Sequence, residues 1–345
     1  MNILIIGAGA IGGFIGGKLA AQHNVTLFDR APLVDAVRAR GLRLIEPEAE
    51  HTVSNLAAFT ALEDIFPRTP RFDLAIVCVK AFDTPAAIQV LRPYADRIDR
   101  FLTPQNGVNN EDLLGAAFGR SKIISGTVLN PVAVPELGVV RLEKAGRGIG
   151  LAPVPVGSAI DPYVDVIRAT QLPVRTYADY RAMKWSKLIL NLIGNATSAI
   201  LDMPTRETFA DPRVFTIEVA QLREALAVMR ARSIGTVDLP GSPVRLLAFG
   251  IRFAPRFVLQ RILQPMVGGG RGDKPPSLLV DMRSGRKQSE IDELNGAIVQ
   301  AGQTIGMKTP VNAALVGIMH DLLEGKADRA EWRHNVDRLA QLTAA

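Results

Sequence analysis

The sequence predicts an α/β domain with a doubly wound, mostly parallel sheet, followed by an all-helical domain, and three observations support this prediction. The apolar run NILII at residues 2–6 leads through glycines into a helical pattern and a second apolar run at 24–28, which together form a βαβ unit. The run DLAIVCV at 73–79 is apolar throughout, as in a strand buried on both faces of a sheet. From about residue 178 the apolar residues recur with the spacing of helices.

The chain of 345 residues is longer than one hydrophobic core usually organises, so we expect two domains, residues 1–176 and 177–345. The second contains an extended segment at 235–276, in which Pro255 and Pro265 are expected to prevent a single long helix. Its basic and apolar residues could contact a membrane surface, but we favour two short helices packed on the body of the protein or on a partner subunit, so a homodimer is one alternative. The other expected elements are a hairpin within 41–60, strands at 98–103, 121–128, 137–143 and 147–151, and helices at 10–22, 83–92, 179–201, 211–232, 277–302 and 311–324.

Composition excludes several classes of protein. With 48% hydrophobic and 21% charged residues, the chain is globular and not disordered. The net charge of +6 is modest, and the absence of a basic helix argues against a nucleic-acid partner. The one cysteine, Cys78, allows no internal disulfide and is expected to be a buried strand residue. No apolar run approaches the ~18 residues that span a bilayer, so we expect a cytoplasmic protein without a membrane partner, and no set of metal ligands is predicted.

The turn GAGAIG at residues 7–12 matches the pattern GxGxxG. The pattern is weak alone, but here it follows a strand, opens a helix and precedes a second strand. In that context the first glycine permits a tight turn, the second admits a pyrophosphate and the third lets helix and strand pack closely. The sequence therefore predicts a Rossmann domain whose dinucleotide contacts are Gly7, Ala8, Gly9, Ala10, Ile11 and Gly12.

Asp29 and Arg30 follow the second strand and favour different cofactors. An aspartate at this point binds the ribose 2′-hydroxyl of NAD(H), whereas an arginine binds the 2′-phosphate of NADP(H). The sequence leaves NAD(H) open. We expect NADP(H) to be preferred, because Arg30 can form charge-assisted hydrogen bonds with the 2′-phosphate and Asp29 can rotate away.

Lys80 and Asn106 each follow a predicted strand, at the edge of the sheet where ligands bind in this fold. Either can contact a cofactor or substrate. The alternatives are a solvated loop lysine for Lys80 and a turn-forming residue for Asn106.

The segment WSKLILNLIGNATS at 185–198 carries Lys187, Asn191 and Asn195 at intervals of four. On a continuous helix these residues share one face among apolar neighbours, where polar groups need partners or line a pocket. A positioned ammonium can protonate the alkoxide that forms when hydride attacks a ketone, and amides can hold a substrate carboxylate. Glu290 can face Lys187 and hold its charge, although the sequence by itself favours an exposed helix residue.

With these motifs the chain resembles the ketopantoate reductase (2-dehydropantoate 2-reductase) family of the 6-phosphogluconate-dehydrogenase-like group. The matching segments occur in family order and span nearly the whole chain: GAGAIGG, VCVKAF around Lys80, QNGV around Asn106, KWSKLILNLIGNATS around Lys187, and SEIDELNGAIVQAGQTIGMKTPVN. The resemblance implies NADPH-dependent reduction of a 2-keto acid, with ketopantoate the leading substrate, as in pantothenate biosynthesis.

The resemblance also implies roles for individual residues. Lys187 is the general acid, Glu290 a carboxylate near both cofactor and lysine, and Asn106 a contact of both cofactor and substrate. The other implied contacts are Arg30, Lys80 and Val132 with cofactor, and Asn191, Asn195, Ser277 and Thr205 with substrate. Three features depart from the family: Asp29 where many relatives have a neutral residue, a longer 235–276 segment, and one extra residue between Ser277 and Glu290.

Two other functions remain open at this point. One is a related enzyme acting on a different hydroxy acid, and the other is a catalytically silent nucleotide sensor. The row of Lys187, Asn191 and Asn195 argues against the sensor, since a sensor has no need of a buried ammonium.

Overall fold

The computed structural model describes residues 1–270 and 275–344, with only the backbone at 265–270 and 342–344. The chain divides into two compact units. The first comprises Met1–Met183 with Leu239–Gly241, and the second Lys184–Asp238 with Ser242–Ala345. The division falls within the helix Tyr180–Leu192. Part of the loop GGGRGDKPPS in the extended segment, residues 271–274, lies outside the described residues.

The first unit contains the strands, which form two sheets. The strands are β1 Asn2–Ile6, β2 Asn24–Phe28, β3 Leu42–Glu46, β4 Ala49–Val53, β5 Ala57–Phe59, β6 Phe72–Val77, β7 Ile98–Thr103, β8 Ile123–Val128, β9 Val132–Glu136, β10 Val139–Leu142, β11 Ile149–Pro153 and β12 Val174–Thr176. The eight-stranded sheet has the order β12-β11-β8-β7-β6-β1-β2-β5, and the four-stranded sheet the order β4-β3-β10-β9.

The large sheet is mostly parallel, since β5, β2, β1, β6, β7 and β8 all run in one direction and only β8 and β11 pair antiparallel. The chain order reverses at β1, whose neighbours are β2 on one side and β6 on the other. Both faces are covered, because consecutive residues of β1 and β6 are completely buried. This is the predicted doubly wound sheet, and its strands end at one common edge, called the carboxyl edge below.

Helices connect these strands. They are α1 Ala10–Leu19, α2 Ala31–Arg40, α3 Thr84–Leu91, α4 Asn110–Phe118 and α5 Asp161–Arg168, with 3₁₀ turns at Leu62–Asp64, Ala81–Asp83, Arg92–Arg97 and Arg120–Lys122. Helix α1 is rich in small residues, so it packs closely: a Cβ at Gly16 would lie 3.0 Å from Ile5 and one at Gly17 2.9 Å from Leu44. The predicted hairpin within 41–60 is β3–β4, with β5 following it as an edge strand of the large sheet.

The second unit is helical in the part that the structure describes. Its helices are α6 Tyr180–Leu192, α7 Ala196–Leu201, α8 Thr205–Ala210, α9 Pro212–Ala231, α10 Val244–Phe253, α11 Arg256–Gly270, α12 Ser277–Arg283, α13 Ala297–Gln303, α14 Pro310–Leu323, α15 Arg329–Trp332 and α16 Val336–Ala344. A π-helical turn at Asp292–Gly296 precedes α13. Among the described residues, no helix combines the length and apolar character needed to cross a membrane.

Three element predictions differ from the structure. The expected helix 277–302 is interrupted between α12 and the π-helical turn, and the expected helix 179–201 breaks between α6 and α7. Pro255 separates α10 from α11 as predicted, but position 265 lies within α11, so Pro265 does not end that helix. Both short helices pack on the body of their unit, α10 against α9 and α11 against α8.

Candidate functional site

The glycine turn lies at the carboxyl edge of β1, where α1 begins. Gly7 has a φ of +86°, and its backbone N–H donates to the carbonyl of Phe28 at 2.9 Å. A Cβ at Gly12 would lie 2.0 Å from the Gly7 carbonyl oxygen, so no larger residue fits there. A Cβ at Gly9 would meet nothing within 4 Å. Gly7 and Gly12 are therefore required by the turn itself, whereas the space beside Gly9 is open to a ligand.

Asp29 is bound to this turn. Its Oδ2 accepts the backbone N–H of Ala8 at 2.6 Å, and its Oδ1 accepts the N–H of Arg30 at 2.6 Å. Two backbone donors therefore hold the Asp29 carboxylate beside the glycine turn. That Asp29 can rotate away from a bound ribose stays a prediction. The Arg30 side chain is 91% exposed and its Nε lies 4.0 Å from Asp29 Oδ1, which leaves the guanidinium accessible at the end of β2.

Lys80 and Asn106 lie at the same carboxyl edge, following β6 and β7. Both are partly buried, and Lys80 is the residue just before the 3₁₀ turn Ala81–Asp83. The carbonyl of Asn106 accepts from Asn110 Nδ2 at 2.7 Å. The predicted placement of both residues at the ligand edge agrees with the structure.

A buried hydrogen-bond network joins the two loops that carry Lys80 and Asn106. Gln105 Nε2 donates to the carbonyl of Val79 at 2.8 Å and to Thr84 Oγ1 at 2.9 Å. Thr84 Oγ1 in turn donates to Asn110 Oδ1 at 2.9 Å, and Thr103 Oγ1 donates to Gln105 Oε1 at 2.9 Å. The network fixes one loop against the other. Sequence reasoning missed it, although the polar run QNGVNN directly after an apolar strand was a signal.

In the second unit, α6 presents Lys187 and Asn191 one turn apart. Both side chains are partly buried, and their neighbours Leu188, Ile189 and Leu192 are buried. Lys184, one turn earlier, is only 2% exposed. Lys187 therefore combines an apolar surrounding with partial access, which is what a residue that exchanges a proton with a substrate requires.

The predicted continuous helix from Lys187 to Asn195 is wrong. Helix α6 ends at Leu192, and Gly194 has a φ of +59°. Asn195 is therefore the residue just before α7 and does not belong to α6. No larger residue fits at Gly194, since a Cβ there would lie 2.0 Å from Thr205 Cγ2.

Glu218 on α9 holds this break between α6 and α7. Its Oε2 accepts the N–H of Gly194 at 2.9 Å, and its Oε1 accepts the hydroxyl of Thr197 at 2.5 Å. Gln221, one turn further along α9, donates to the carbonyl of Leu192 at 3.4 Å. These buried bonds satisfy backbone groups freed by the break. No sequence pattern pointed to Glu218, which lies 24 residues from Gly194.

Asn195 connects α7 to α12. Its Nδ2 donates to Ser277 Oγ at 3.3 Å, and its Oδ1 accepts the N–H of Leu278 at 3.1 Å. The structure thus brings together two of the residues expected to bind substrate. Thr205, a third, is buried at the start of α8, where its Oγ1 accepts from Ser198 Oγ at 3.3 Å.

Glu290 is 3% exposed, so the expectation of an exposed helix residue is wrong. It lies in the turn just before the π-helical turn Asp292–Gly296, and its carbonyl accepts the N–H of Leu294. π-Helical turns occur often at functional sites, because they displace side chains from regular helical positions.

The remaining predicted residues lie in the first unit. Val132 is buried at the first position of β9, opposite Leu142 of β10. Cys78 follows β6 directly, and burial raises the pKa of its thiol, which keeps the sulfur protonated at neutral pH. Cys78 packs against the core, but it is only partly buried and lies just after β6, so it is neither fully buried nor within a strand as predicted. No group of three potential metal ligands occurs among the described residues.

The first unit thus offers a dinucleotide turn with polar residues along the carboxyl edge, and the second a partly buried lysine followed by two amides and a hydroxyl. Comparisons with known proteins match both halves. The model of the family described as Ketopantoate reductase PanE/ApbA matches residues 3–151, and that of the Ketopantoate reductase PanE/ApbA C terminal matches residues 179–323.

Individual relatives match nearly the whole chain. A 2-dehydropantoate 2-reductase of Pyrococcus horikoshii is 29% identical, covering 91% of this chain and 95% of the relative. The crystal structure of a PanE/ApbA family ketopantoate reductase from Ralstonia eutropha has a TM-score of 0.77 at 27% identity, covering 94% and 99%. D-mandelate dehydrogenase, in a ternary structure with NADH and anilino(oxo)acetate, has a TM-score of 0.79 at 21% identity, also covering 94% and 99%, which shows a shared fold.

Proposed function

The chain belongs to the ketopantoate reductase PanE/ApbA family, and on that premise we propose that it reduces 2-dehydropantoate to pantoate with NADPH. The family makes it an oxidoreductase that acts on CH–OH groups with a nicotinamide cofactor. The proposal concerns the substrate, the phosphorylated form of the cofactor and the residues that act.

The glycine turn fits a dinucleotide. The space beside Gly9 is open, and Gly9 itself, as the residue before α1, has no side chain to cap the first N–H groups of the helix. Backbone donors at the positive end of a helix are suited to a pyrophosphate. Lys80 and Asn106 at the same carboxyl edge would hold the remaining part of the cofactor. When bound, the cofactor supplies the hydride for reduction.

Arg30 supports NADPH as the cofactor. Its exposed guanidinium at the end of β2 can form charge-assisted hydrogen bonds with a 2′-phosphate. Asp29 opposes this less than its charge alone suggests, because both carboxylate oxygens already accept backbone N–H bonds. We therefore propose that Asp29 stabilises the turn and that Arg30 selects the phosphorylated cofactor.

Lys187 is the proposed proton donor. Hydride addition to a 2-keto acid leaves negative charge on the former carbonyl oxygen, and an ammonium beside that oxygen stabilises the charge and delivers the proton. Partial burial among leucine and isoleucine side chains strengthens this interaction by excluding water. The buried carboxylate of Glu290 would keep the ammonium charged and oriented.

Asn191, Asn195 and Ser277 would bind the carboxylate and hydroxyl groups of the substrate. Asn195 and Ser277 are already within hydrogen-bond distance of each other, and the bond from Leu278 N–H orients the Asn195 amide. Glu218 would act through these residues, since it fixes the break that sets Asn195 relative to Lys187.

The observation that most supports the proposal is the partly buried Lys187 followed by the bonded Asn195–Ser277 pair. The test mixes purified protein and NADPH with 2-dehydropantoate, pyruvate, 2-ketoisovalerate and phenylglyoxylate, and follows the loss of absorbance at 340 nm. We expect kcat/KM to be highest for 2-dehydropantoate. A higher kcat/KM for another 2-keto acid would show that the enzyme makes a different hydroxy acid. If none of the four substrates is reduced, the proposal that the protein is a 2-keto acid reductase is refuted.

A further inference from the structure

Asn130 is a buried amide at the carboxyl edge that the proposed function does not use. It follows β8, separated from Val128 by one residue, and its side chain is 4% exposed. Within the part of the chain that the structure describes, neither its Nδ2 nor its Oδ1 has a hydrogen-bond partner. Burying an amide without partners costs free energy, so few such groups persist in native proteins without a reason.

The backbone on both sides of Asn130 is held independently of its side chain. Leu129 N–H donates to the carbonyl of Gly148 at 2.9 Å, and the carbonyl of Pro131 accepts the N–H of Glu143 at 2.9 Å. The loop therefore does not need the Asn130 amide to keep its conformation. A leucine would fill similar volume at that point without the cost of two unpaired polar atoms.

The order of strands in the sheet places Asn130 on one side of the glycine turn. The strand β8 is parallel to β7 with Thr103 opposite Ser125, so Asn130 lies at the edge next to the loop that carries Asn106. From β1, the strands β6, β7 and β8 lie in one direction, and β2 with Asp29 and Arg30 lies in the other. A dinucleotide that places its adenosine at β2 extends its other half over β6, β7 and β8.

We infer that Asn130 is a binding residue for the nicotinamide carboxamide of the cofactor, an inference that depends on the proposed function. A carboxamide side chain offers N–H donors and a carbonyl acceptor, and the nicotinamide carboxamide offers the same pair in return. A reciprocal amide pair satisfies both polar atoms of Asn130. Because the amide is buried, contact with the cofactor requires its side chain to rotate about the Cα–Cβ bond while the backbone keeps its conformation.

The test compares two ligands that share the adenosine half. Dissociation constants for NADPH and for 2′-phospho-ADP-ribose, which lacks nicotinamide, are measured by calorimetry for the wild type, Asn130→Leu and Asn130→Ala. The control is Asn109→Leu, which changes an exposed asparagine before α4. Melting temperatures without ligand establish that each variant is folded, and Asn130→Ala provides a variant without added bulk.

We expect both Asn130 variants to bind NADPH about 5- to 30-fold more weakly, the loss for one or two hydrogen bonds, with 2′-phospho-ADP-ribose unchanged. Asn130→Leu should melt at or above the wild-type temperature, because it removes unpaired buried groups. Unchanged NADPH affinity would overturn the inference, and so would an equal loss for both ligands, which indicates general distortion. If the wild type binds neither ligand, the proposed function itself fails.

Discussion

Single replacements of Gly9 and Gly12 by alanine test separately whether the glycine turn binds the cofactor and what the turn needs in order to fold. At Gly12 the new Cβ would lie 2.0 Å from the Gly7 carbonyl oxygen and 3.0 Å from Cys78 Cβ. Ordinary contact begins at about 3.4 Å, so the backbone must open by more than 1 Å. Overpacking of this kind costs about 1–3 kcal/mol, and a backbone obstacle places Gly12→Ala at the upper end. At roughly 2–4 °C for each kcal/mol, the melting temperature should fall by about 6–12 °C.

At Gly9 the same methyl group meets nothing within 4 Å, so Gly9→Ala should change the free energy of unfolding by less than about 1 kcal/mol. The methyl group occupies the space into which a pyrophosphate would come, and we expect NADPH affinity to fall at least about 10-fold, equivalent to 1.4 kcal/mol. The assay is thermal melting without cofactor together with fluorescence titration of NADPH. Normal NADPH affinity of Gly9→Ala, or equal melting of Gly12→Ala and wild type, would refute this account of the turn.

Three further predictions concern single side chains. Arg30→Ala should weaken NADPH far more than NADH in binding titrations, and a wild type that uses NADH at least as efficiently would show that Asp29 determines the choice. Since burial raises the pKa of Cys78, native protein at pH 8 should react with a thiol reagent far more slowly than protein in guanidinium, and equal rates would contradict the raised pKa. The side-chain hydrogen bonds from Arg213 lower the pKa of Asp211, which also accepts the N–H of Arg213 as the residue before α9. Asp211→Ala should therefore lower the free energy of unfolding by about 0.5–2 kcal/mol at pH 7, and this difference should shrink as the pH falls through the lowered pKa. A difference that does not depend on pH in denaturant melts would exclude the effect.

The parallel sheet could be predicted from sequence because its strands are buried on both faces. Such strands appear in the sequence as short apolar runs: the run at 2–6 coincides with β1, and the run at 73–79 overlaps β6. The helices α2 and α4 were not predicted, since each is short and carries mixed polar and apolar residues without a clear period.

Local motifs predicted that Lys80 and Asn106 lie at the carboxyl edge of the sheet. They did not predict the contacts that surround the residues of the candidate site. The hydrogen bond from the N–H of Ala8, 21 residues earlier, to Asp29 was not predicted. Glu290 was expected to be exposed, and tertiary packing buries it. The break before Asn195 depends on Glu218 in another helix. Hydrophobic periodicity describes one helix or strand at a time, so it cannot predict contacts between elements that are distant in sequence.

The central claim is that Lys187 protonates the substrate oxygen, and single-turnover reduction of 2-dehydropantoate by Lys187→Ala tests it most directly. With NADPH bound in excess, the rate of NADPH oxidation should fall by roughly 10²–10⁴-fold, the range for a lost general acid, while NADPH affinity stays within about twofold of wild type. Lys187→Arg should not restore the rate, because the pKa of a guanidinium is too high for it to donate a proton effectively. A Lys187→Ala protein that oxidises NADPH at a near-normal rate would contradict the claim.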